Sequence, residues 1–161
     1  MKKILIDTCV IIEIVRDTIT GKECLKRLEK FGEDLTIILS IVTKAELDSF
    51  SRQNKWGEKK VEKLNLFLSS ATIISINEND VLLLDAYSQI DGYSKRKLLD
   101  KNGTLRPGSA ITMGKNDLWI AATASALNIP LLTNDGDYDH LNGIMIEVIK
   151  VSHEKKIDKT K

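Results

Sequence analysis

The chain has 161 residues, of which 42% are hydrophobic and 29% charged, and its formal net charge at pH 7 is +1. This length is enough to bury the core of one domain, and the composition is ordinary for a globular protein. A net charge so close to zero excludes any argument for a nucleic-acid partner from overall basicity. We therefore expect one domain over residues 1–150 and a basic, flexible tail over residues 151–161.

Strand-like and helical segments alternate along the first half of the chain. Short apolar runs predict strands at Lys3–Ile6 and Leu35–Leu39. Helices are predicted after each of these strands, at Cys9–Arg16, Lys22–Phe31, Thr43–Arg52 and Glu58–Leu68.

The alternation continues in the second half. Strands are predicted at Thr72–Ile76, Pro130–Thr133 and, at the sheet edge, Ile144–Ile149. Helices are predicted at Glu78–Ile90 and Lys115–Leu127, with a long basic loop between them at Asp91–Met113. Strands that alternate with helices predict an α/β fold, a three-layer sandwich with a central, mainly parallel β-sheet flanked by helices.

Basic residues are concentrated in and beside this loop. Only Asp100 opposes them between residues 92 and 115. Such a run is either a solvated surface or a site for phosphate groups. The residues that we consider for phosphate contact are Lys95, Arg96, Lys97, Lys101 and Arg106.

Four carboxylates lie where a strand gives way to a helix or loop, or where a helix opens. They are Asp7, Glu46, Asp117 and Asp135. The carboxyl ends of parallel strands meet at one edge of a sheet, so we expect these side chains to converge there. Carboxylates brought together repel each other, which raises their pKa values. A hard divalent cation relieves this repulsion, and Mg²⁺ prefers carboxylate oxygens and water.

Each acid also has a structural explanation of its own. Asp7 could cap the helix that follows it, and Thr43 and Glu46 fit a capping box. A negative charge at Asp117 would be favoured by the dipole of its helix, and Asp135 lies in a sequence typical of a turn. The shared placement of all four favours a site, because Ser or Thr would serve equally well as caps.

Neighbouring polar residues could support the same site. Asp137 could reach it or could solvate the turn. The hydroxyl groups of Thr8 and Thr133 could orient a carboxylate or a bound water, or could satisfy backbone groups. Asn116 directly precedes Asp117 and is a further supporting candidate.

Cysteine usage and hydropathy restrict the remaining possibilities. Cys9 and Cys24 are too few and too irregularly spaced for a disulfide framework or a zinc site. The apolar N-terminal run is interrupted by Asp7 and Glu13, so it does not predict a signal peptide. No apolar stretch approaches the length of a membrane span. We expect a cytoplasmic protein without a membrane partner.

The chain resembles the PIN-domain nucleases, and most closely the toxin ribonucleases of VapBC-type toxin–antitoxin pairs. Four motifs carry the resemblance, at Ile4–Thr8, Ser40–Leu47, Asn116–Ala122 and Ile129–Tyr138. It extends from Met1 to about Val148. Tyr138 departs from the family, which often has Phe there, and the basic loop is longer than we expect of a compact toxin.

The resemblance implies a function as well as a fold. It identifies the four acids with the metal-binding residues of the family, with Asp137 as a fifth candidate, and it implies Mg²⁺ or Mn²⁺ as the cofactor. The expected reaction is hydrolysis of RNA, for example a structured tRNA, by metal-activated water. The basic loop would hold the RNA backbone. A homodimer and a small antitoxin protein are the implied partners.

Other functions compete with this interpretation. A phosphohydrolase with an Asp nucleophile would need a second acid soon after Asp7, and a receiver domain would need an acceptor Asp after Ile76; the sequence has neither. A cellular PIN nuclease that processes RNA outside any toxin system remains open. So does a PIN-like module that binds RNA or protein without cleavage.

Overall fold

The computed structural model describes residues 2–152 of the chain. Residues 153–161, which include most of the predicted basic tail, lie outside the described part. Within residues 2–152, no helix is both long enough and apolar enough to cross a membrane.

Five strands and six α-helices form the described part of the domain. The strands are β1 (Lys2–Ile6), β2 (Leu35–Ser40), β3 (Thr72–Ile74), β4 (Leu131–Thr133) and β5 (Val148–Lys150). The helices are α1 (Thr8–Val15), α2 (Ile19–Glu29), α3 (Ile41–Gln53), α4 (Glu58–Ser69), α5 (Val81–Ser94) and α6 (Lys115–Leu127). A 3₁₀ helix, Gly136–Leu141, follows β4.

All five strands are parallel and are arranged in the order β3-β2-β1-β4-β5. Leu5 of the central strand β1 is in register with Ile38 on one side and with Leu131 on the other. The predicted α/β fold with a central parallel sheet is therefore confirmed. Because β1, β2 and β4 are adjacent and parallel, the residues that follow them emerge at one edge of the sheet.

Two apolar clusters cover the two faces of the sheet. Ile4 and Ile6 belong to the cluster formed with α1, α2 and α4. Leu5, between them, belongs to the opposite cluster with α5, α6 and the 3₁₀ helix. Successive side chains of a strand point to opposite faces, so β1 contributes to both clusters, and Asp7 follows at its carboxyl end.

The predicted capping box at Thr43 is wrong. Helix α3 begins at Ile41, and Ser40 is its N-cap, whose hydroxyl accepts a hydrogen bond from the Val42 amide at 3.3 Å. Thr43 is therefore inside the helix and buried, and its hydroxyl has no hydrogen-bond partner among the described residues. Glu46 is therefore not part of a capping box, and its carboxylate can take part in other interactions.

Other predicted boundaries also differ from those in the structure. Helix α5 begins three residues later than predicted, because Asp80 accepts a hydrogen bond from the Leu83 amide and caps it. It continues to Ser94 rather than Ile90, since Tyr93 and Ser94 are buried and extend its packed face. The predicted long loop is therefore shortened to residues 95–114, and β3 and β5 are each only three residues long.

Candidate active site

One cavity of about 760 Å³ opens at the carboxyl ends of the strands. We call it the acidic cavity. Six of the residues predicted from sequence line it: Asp7, Thr8, Glu46, Asn116, Asp117 and Asp135. They come from the end of β1, from α1, α3 and α6, and from the turn after β4, so the sheet topology brings together acids that are far apart in sequence.

Asp7 is at the base of the cavity and is only 4% exposed. Its Oδ1 accepts a hydrogen bond from the Thr8 amide at 2.7 Å, so it does cap α1. Its Oδ2 accepts hydrogen bonds from the Thr133 hydroxyl at 2.6 Å and the Cys9 thiol at 2.9 Å. Burial raises the pKa of Asp7 despite these hydrogen bonds, and the charge of Asp135 raises it further. Asp7 therefore caps α1 and also lines the base of the cavity.

Asp117 lies in the first turn of α6. Its Oδ1 accepts a hydrogen bond from the hydroxyl of Tyr138 at 3.2 Å. Burial first, and then the charge of Asp7, raise the pKa of Asp117 from its usual 3.8 to about 6. Asp135 and Glu46 add to the increase, while the hydrogen bond from Tyr138 opposes it. The four carboxylates are therefore close enough to interact electrostatically.

Glu46 has both carboxylate oxygens occupied by neutral donors. The Thr8 hydroxyl donates to Oε2 at 2.5 Å, and the Asn116 side-chain amide donates to Oε1 at 2.7 Å. Thr8 and Asn116 thereby fix the orientation of Glu46 without neutralising its charge. The remaining lone pairs of its oxygens are available to a bound water or cation.

Asp135 is in the turn predicted from sequence and caps the 3₁₀ helix. Its Oδ1 accepts a hydrogen bond from the Asp137 amide at 2.9 Å, and its own amide donates to the Thr133 hydroxyl at 2.9 Å. Thr133 is fully buried and links Asp135 to Asp7. The Asp137 side chain is exposed and does not line the cavity, so the structure favours its solvating role.

Two residues that contact the acids were not among the sequence-based candidates. The Tyr138 hydroxyl lies 3.4 Å from Oδ1 of Asp7 and 3.2 Å from Oδ1 of Asp117. Cys9 donates its thiol to Asp7, and burial together with that carboxylate raises the pKa of the thiol. The only sequence signal for Cys9 is a weak one, its position two residues from Asp7 in the first turn of α1. No sequence pattern indicates a role for the hydroxyl of Tyr138.

The basic residues of the loop do not form one surface. Lys95 pairs with Asp91 at 2.7 Å, whereas Arg96 and Lys97 are exposed. Lys101 lines a separate cavity, to which Ser125 of α6 also contributes. Along the helix axis, Ser125 is roughly 12 Å from the first turn of α6, where Asp117 lies. Lys101 is thus at the opposite end of α6 from the acids.

The predicted phosphate contact of Arg106 does not fit the structure. Its side chain is buried, and its guanidinium donates to the backbone carbonyls of Ser94 and Ser109. Ser94 is the last residue of α5 and Ser109 lies in the loop, so Arg106 connects the loop to the end of that helix. A guanidinium engaged in this way holds the loop in place rather than facing solvent.

The acidic cavity continues along α3 as an apolar groove. Its walls there are Ile12, Ile41, Val42, Ala45 and Phe50, with Ser49 and Gln53 at its polar margin. No basic side chain lines the cavity among the described residues. The acids therefore face a space whose remaining surface is apolar or neutral.

The donor set fits a hydrated divalent ion. Within residues 2–152, no three Asp, Glu, His or Cys side chains form a group that would coordinate an ion directly. Mg²⁺ usually retains several waters and is bound through one or two carboxylates, and the cavity offers oxygen donors with room for water. Burial is the main reason that the pKa of Asp117 is raised, and the neighbouring carboxylate charges that raise it further would be offset by such an ion.

Comparisons with solved structures show the same fold in proteins of low sequence identity. The chain is similar to a structure of VapBC2 from Rickettsia felis bound to a DNA fragment from its promoter, with a TM-score of 0.67 and 23% identity over 91% of this chain and 98% of that one. It is also similar to VapBC-1 from nontypeable Haemophilus influenzae, with a TM-score of 0.66 and 21% identity over 92% and 97% of the two chains. FitAcB from Neisseria gonorrhoeae gives a TM-score of 0.59 and 25% identity over 91% and 96%.

No curated protein matches the chain. The family model for the PIN domain matches residues 4–144, which include most of β1, all of α6 and all four acids of the cavity. The chain therefore belongs to the PIN-domain family.

Proposed function

We propose that this protein is a metal-dependent endoribonuclease that hydrolyses RNA phosphodiester bonds and acts as the toxin of a toxin–antitoxin pair. The convergence of Asp7, Glu46, Asp117 and Asp135 on one cavity carries the proposal. Membership of the PIN-domain family supports nuclease chemistry. The resemblance of the four motifs implies that these acids match the metal-binding residues of the family.

Mg²⁺ or Mn²⁺ is the cofactor that these side chains would hold. Asp7, Asp117 and Asp135 would bind it directly or through water, and Glu46 would complete the shell. When bound, a divalent ion supplies positive charge that activates water and stabilises the scissile phosphate. Thr133 would keep the carboxylate of Asp7 in place through its 2.6 Å hydrogen bond.

Hydrogen bonds from neutral donors would keep Glu46 in a fixed orientation during the reaction. The hydroxyl of Thr8 and the amide of Asn116 hold its two oxygens at 2.5 and 2.7 Å. In this position Glu46 would orient the attacking water and accept its proton. Preorganised groups of this kind avoid the cost of reorientation in the transition state.

Exposed cations of the loop and of α6 would hold an RNA backbone. Arg96, Lys97 and Lys115 are exposed, and Lys115 opens the helix that carries Asp117. Phosphate contacts of this kind position a nucleic acid without reading its sequence. Aromatic residues make up only 5% of the chain, so we expect selection by RNA shape, as in a tRNA, rather than by extensive base stacking. Such a substrate implies action in the cytoplasm.

The apolar groove along α3 is suited to a small antitoxin. A segment of that protein with apolar side chains would pack against Val42 and Phe50, and a basic side chain would extend toward the acids. One similar structure is described as a member of the VapBC family of toxin–antitoxin systems. We also infer a homodimer, as the resemblance to these toxins implies.

Cleavage of RNA by the purified protein tests the proposed chemistry. The full chain is incubated with mixed tRNA and rRNA in Mg²⁺, in Mn²⁺ and in EDTA, beside the variants Asp7→Asn and Asp48→Asn. Asp48 is a matched control, because it is an acid of α3 that pairs with Lys44 outside the acidic cavity. We expect cleavage with either metal by the wild type and by Asp48→Asn only. Cleavage in EDTA, or by a folded Asp7→Asn variant, would contradict the mechanism.

Growth on induced expression tests the toxin assignment separately. We expect the wild type to arrest growth, Asp7→Asn to be harmless, and co-expression of a small protein encoded beside this gene to restore growth. Metal-dependent cleavage without toxicity would favour a cellular RNA-processing nuclease. RNA binding without cleavage would favour a non-catalytic PIN-like module.

A further inference from the structure

The hydroxyl of Tyr138 lies between two acids of the cavity that come from different elements. It is 3.4 Å from Oδ1 of Asp7 at the end of β1 and 3.2 Å from Oδ1 of Asp117 in α6. The Tyr138 ring is fully buried in the cluster that contains Leu5 and Leu118, which lie close to these acids in the chain. Tyr138 therefore fills the core with its ring and contacts two acids of the cavity with its single polar side-chain atom.

The hydroxyl acts as a donor to these carboxylates. A phenol is protonated at neutral pH, and here its oxygen faces one carboxylate oxygen of each acid. A phenol has one proton to donate, whereas ionised carboxylates only accept. Both distances are long for an O–H···O hydrogen bond, as expected when one proton lies between two acceptors.

The two acids depend on Tyr138 to different degrees. Asp7 also accepts hydrogen bonds from Thr8, Cys9 and Thr133, so three other donors fix its position. For Asp117, the donor that the structure shows is the hydroxyl of Tyr138. Loss of this hydroxyl would leave Asp7 in place and release Asp117 from its connection to the sheet.

We propose that Tyr138 is a positioning residue that sets the spacing and orientation of Asp117 relative to Asp7 for binding of a divalent cation. The inference rests on the proposed metal-dependent function. A phenylalanine at this position would retain the packed ring but would lose the connection between β1 and α6. Outer groups that orient metal-binding side chains commonly change metal affinity by about 10- to 100-fold when they are removed.

The experiment compares Mn²⁺ binding to the full-length wild type and to Tyr138→Phe, measured by the electron paramagnetic resonance of free Mn²⁺. Tyr93→Phe is the matched control, since Tyr93 is 1% exposed in the same cluster and the charges that act on its hydroxyl are those of Asp100 and Arg106. We expect Tyr138→Phe to weaken Mn²⁺ binding by about 10-fold and Tyr93→Phe to change it by less than about twofold. Thermal unfolding in EDTA should differ little between the two variants.

Kinetics provide a second readout that general destabilisation would not reproduce. At saturating Mn²⁺, Tyr138→Phe should lower kcat for RNA cleavage while leaving KM for RNA close to that of the wild type. Equal Mn²⁺ affinity of Tyr138→Phe and wild type would overturn the inference and leave the proposed function intact. An equal loss of affinity in both variants would also overturn it. Failure of the wild type to bind Mn²⁺ would overturn both proposals.

Discussion

A Cβ atom on Gly114 would lie 2.5 Å from Oδ2 of Asp117, well inside van der Waals contact. Gly114 is the N-cap of α6 and has a φ of −58°, which any residue can adopt. The glycine is therefore required by the space that the carboxylate occupies and not by the backbone. The side chain of Asp117 is held between this glycine and the hydroxyl of Tyr138.

Gly114→Ala should lower cleavage activity without unfolding the protein. The added methyl group displaces the end of the Asp117 side chain, which can rotate, rather than the backbone. A displacement of about 1 Å at a reacting group can cost roughly 100-fold in rate. Gly57→Ala is the control, because Gly57 also caps a helix and a Cβ atom added there would have nothing within 4 Å. Wild-type activity of a folded Gly114→Ala protein would contradict the role of this contact.

Thr8→Val should lower kcat by about 10-fold, because it removes the hydroxyl that orients Glu46 while retaining the shape of the side chain. Thr123→Val is the control. Thr123 is buried in α6 and donates its hydroxyl to the Trp119 carbonyl, away from the acids. Single-turnover rates with excess enzyme measure the effect. If the two variants lost the same fraction of activity, the orientation of Glu46 would not explain the loss.

The stability of the metal-free protein should depend on pH through Asp117. Its pKa is about 6 in the folded state and 3.8 when unperturbed, so the folded state holds more protons between these values. The contribution of this group to the free energy of unfolding therefore falls as pH rises from about 4 to 6 and stays low above that range. Asparagine does not titrate, so Asp117→Asn should not show this decrease in the free energy of unfolding.

Urea unfolding in EDTA at several pH values measures this contribution as a difference between proteins. Asp117→Asn should gain stability relative to the wild type as pH rises, by about 1 kcal/mol after allowance for solvent screening of a half-buried group. Mg²⁺ should stabilise the wild type more at pH 7 than at pH 5. A constant difference between the two proteins across this range would contradict the electrostatic argument.

The convergence of the four acids could be predicted from sequence because their positions follow from local patterns. Asp7 and Asp135 directly follow apolar strands or their turns, and parallel topology determines where those strands end. The start of α3 could not be chosen from sequence, since Ser40 and Thr43 both satisfy capping rules. In the structure Ser40 pairs with Ile74 as the last residue of β2, so the strand ends there and α3 begins directly after it.

These local sequence patterns could not predict contacts between distant segments of the chain. The hydroxyl of Tyr138 meets Asp7 across 131 positions of sequence, and only the folded sheet brings them together. Sequence alone predicted an exposed side chain for Arg106, because it belongs to a run of basic and polar residues. Its acceptors are backbone carbonyls, which every segment of the chain carries, so no residue pattern identifies them.

Arg106 and Lys97 should give opposite results when they are substituted. Arg106→Met retains the apolar stem but removes the guanidinium donor of the Ser109 carbonyl, whereas the Ser94 carbonyl keeps its hydrogen bond from the Ile111 amide. We therefore expect a loss of about 1–2 kcal/mol in the free energy of unfolding. Lys97→Ala removes an exposed cation and should leave stability unchanged. It should weaken RNA binding and reduce the salt dependence by roughly one ionic contact. Unfolding curves and binding at several salt concentrations distinguish the two residues. A stable Arg106→Met protein with weakened, less salt-dependent RNA binding would restore Arg106 as a phosphate contact.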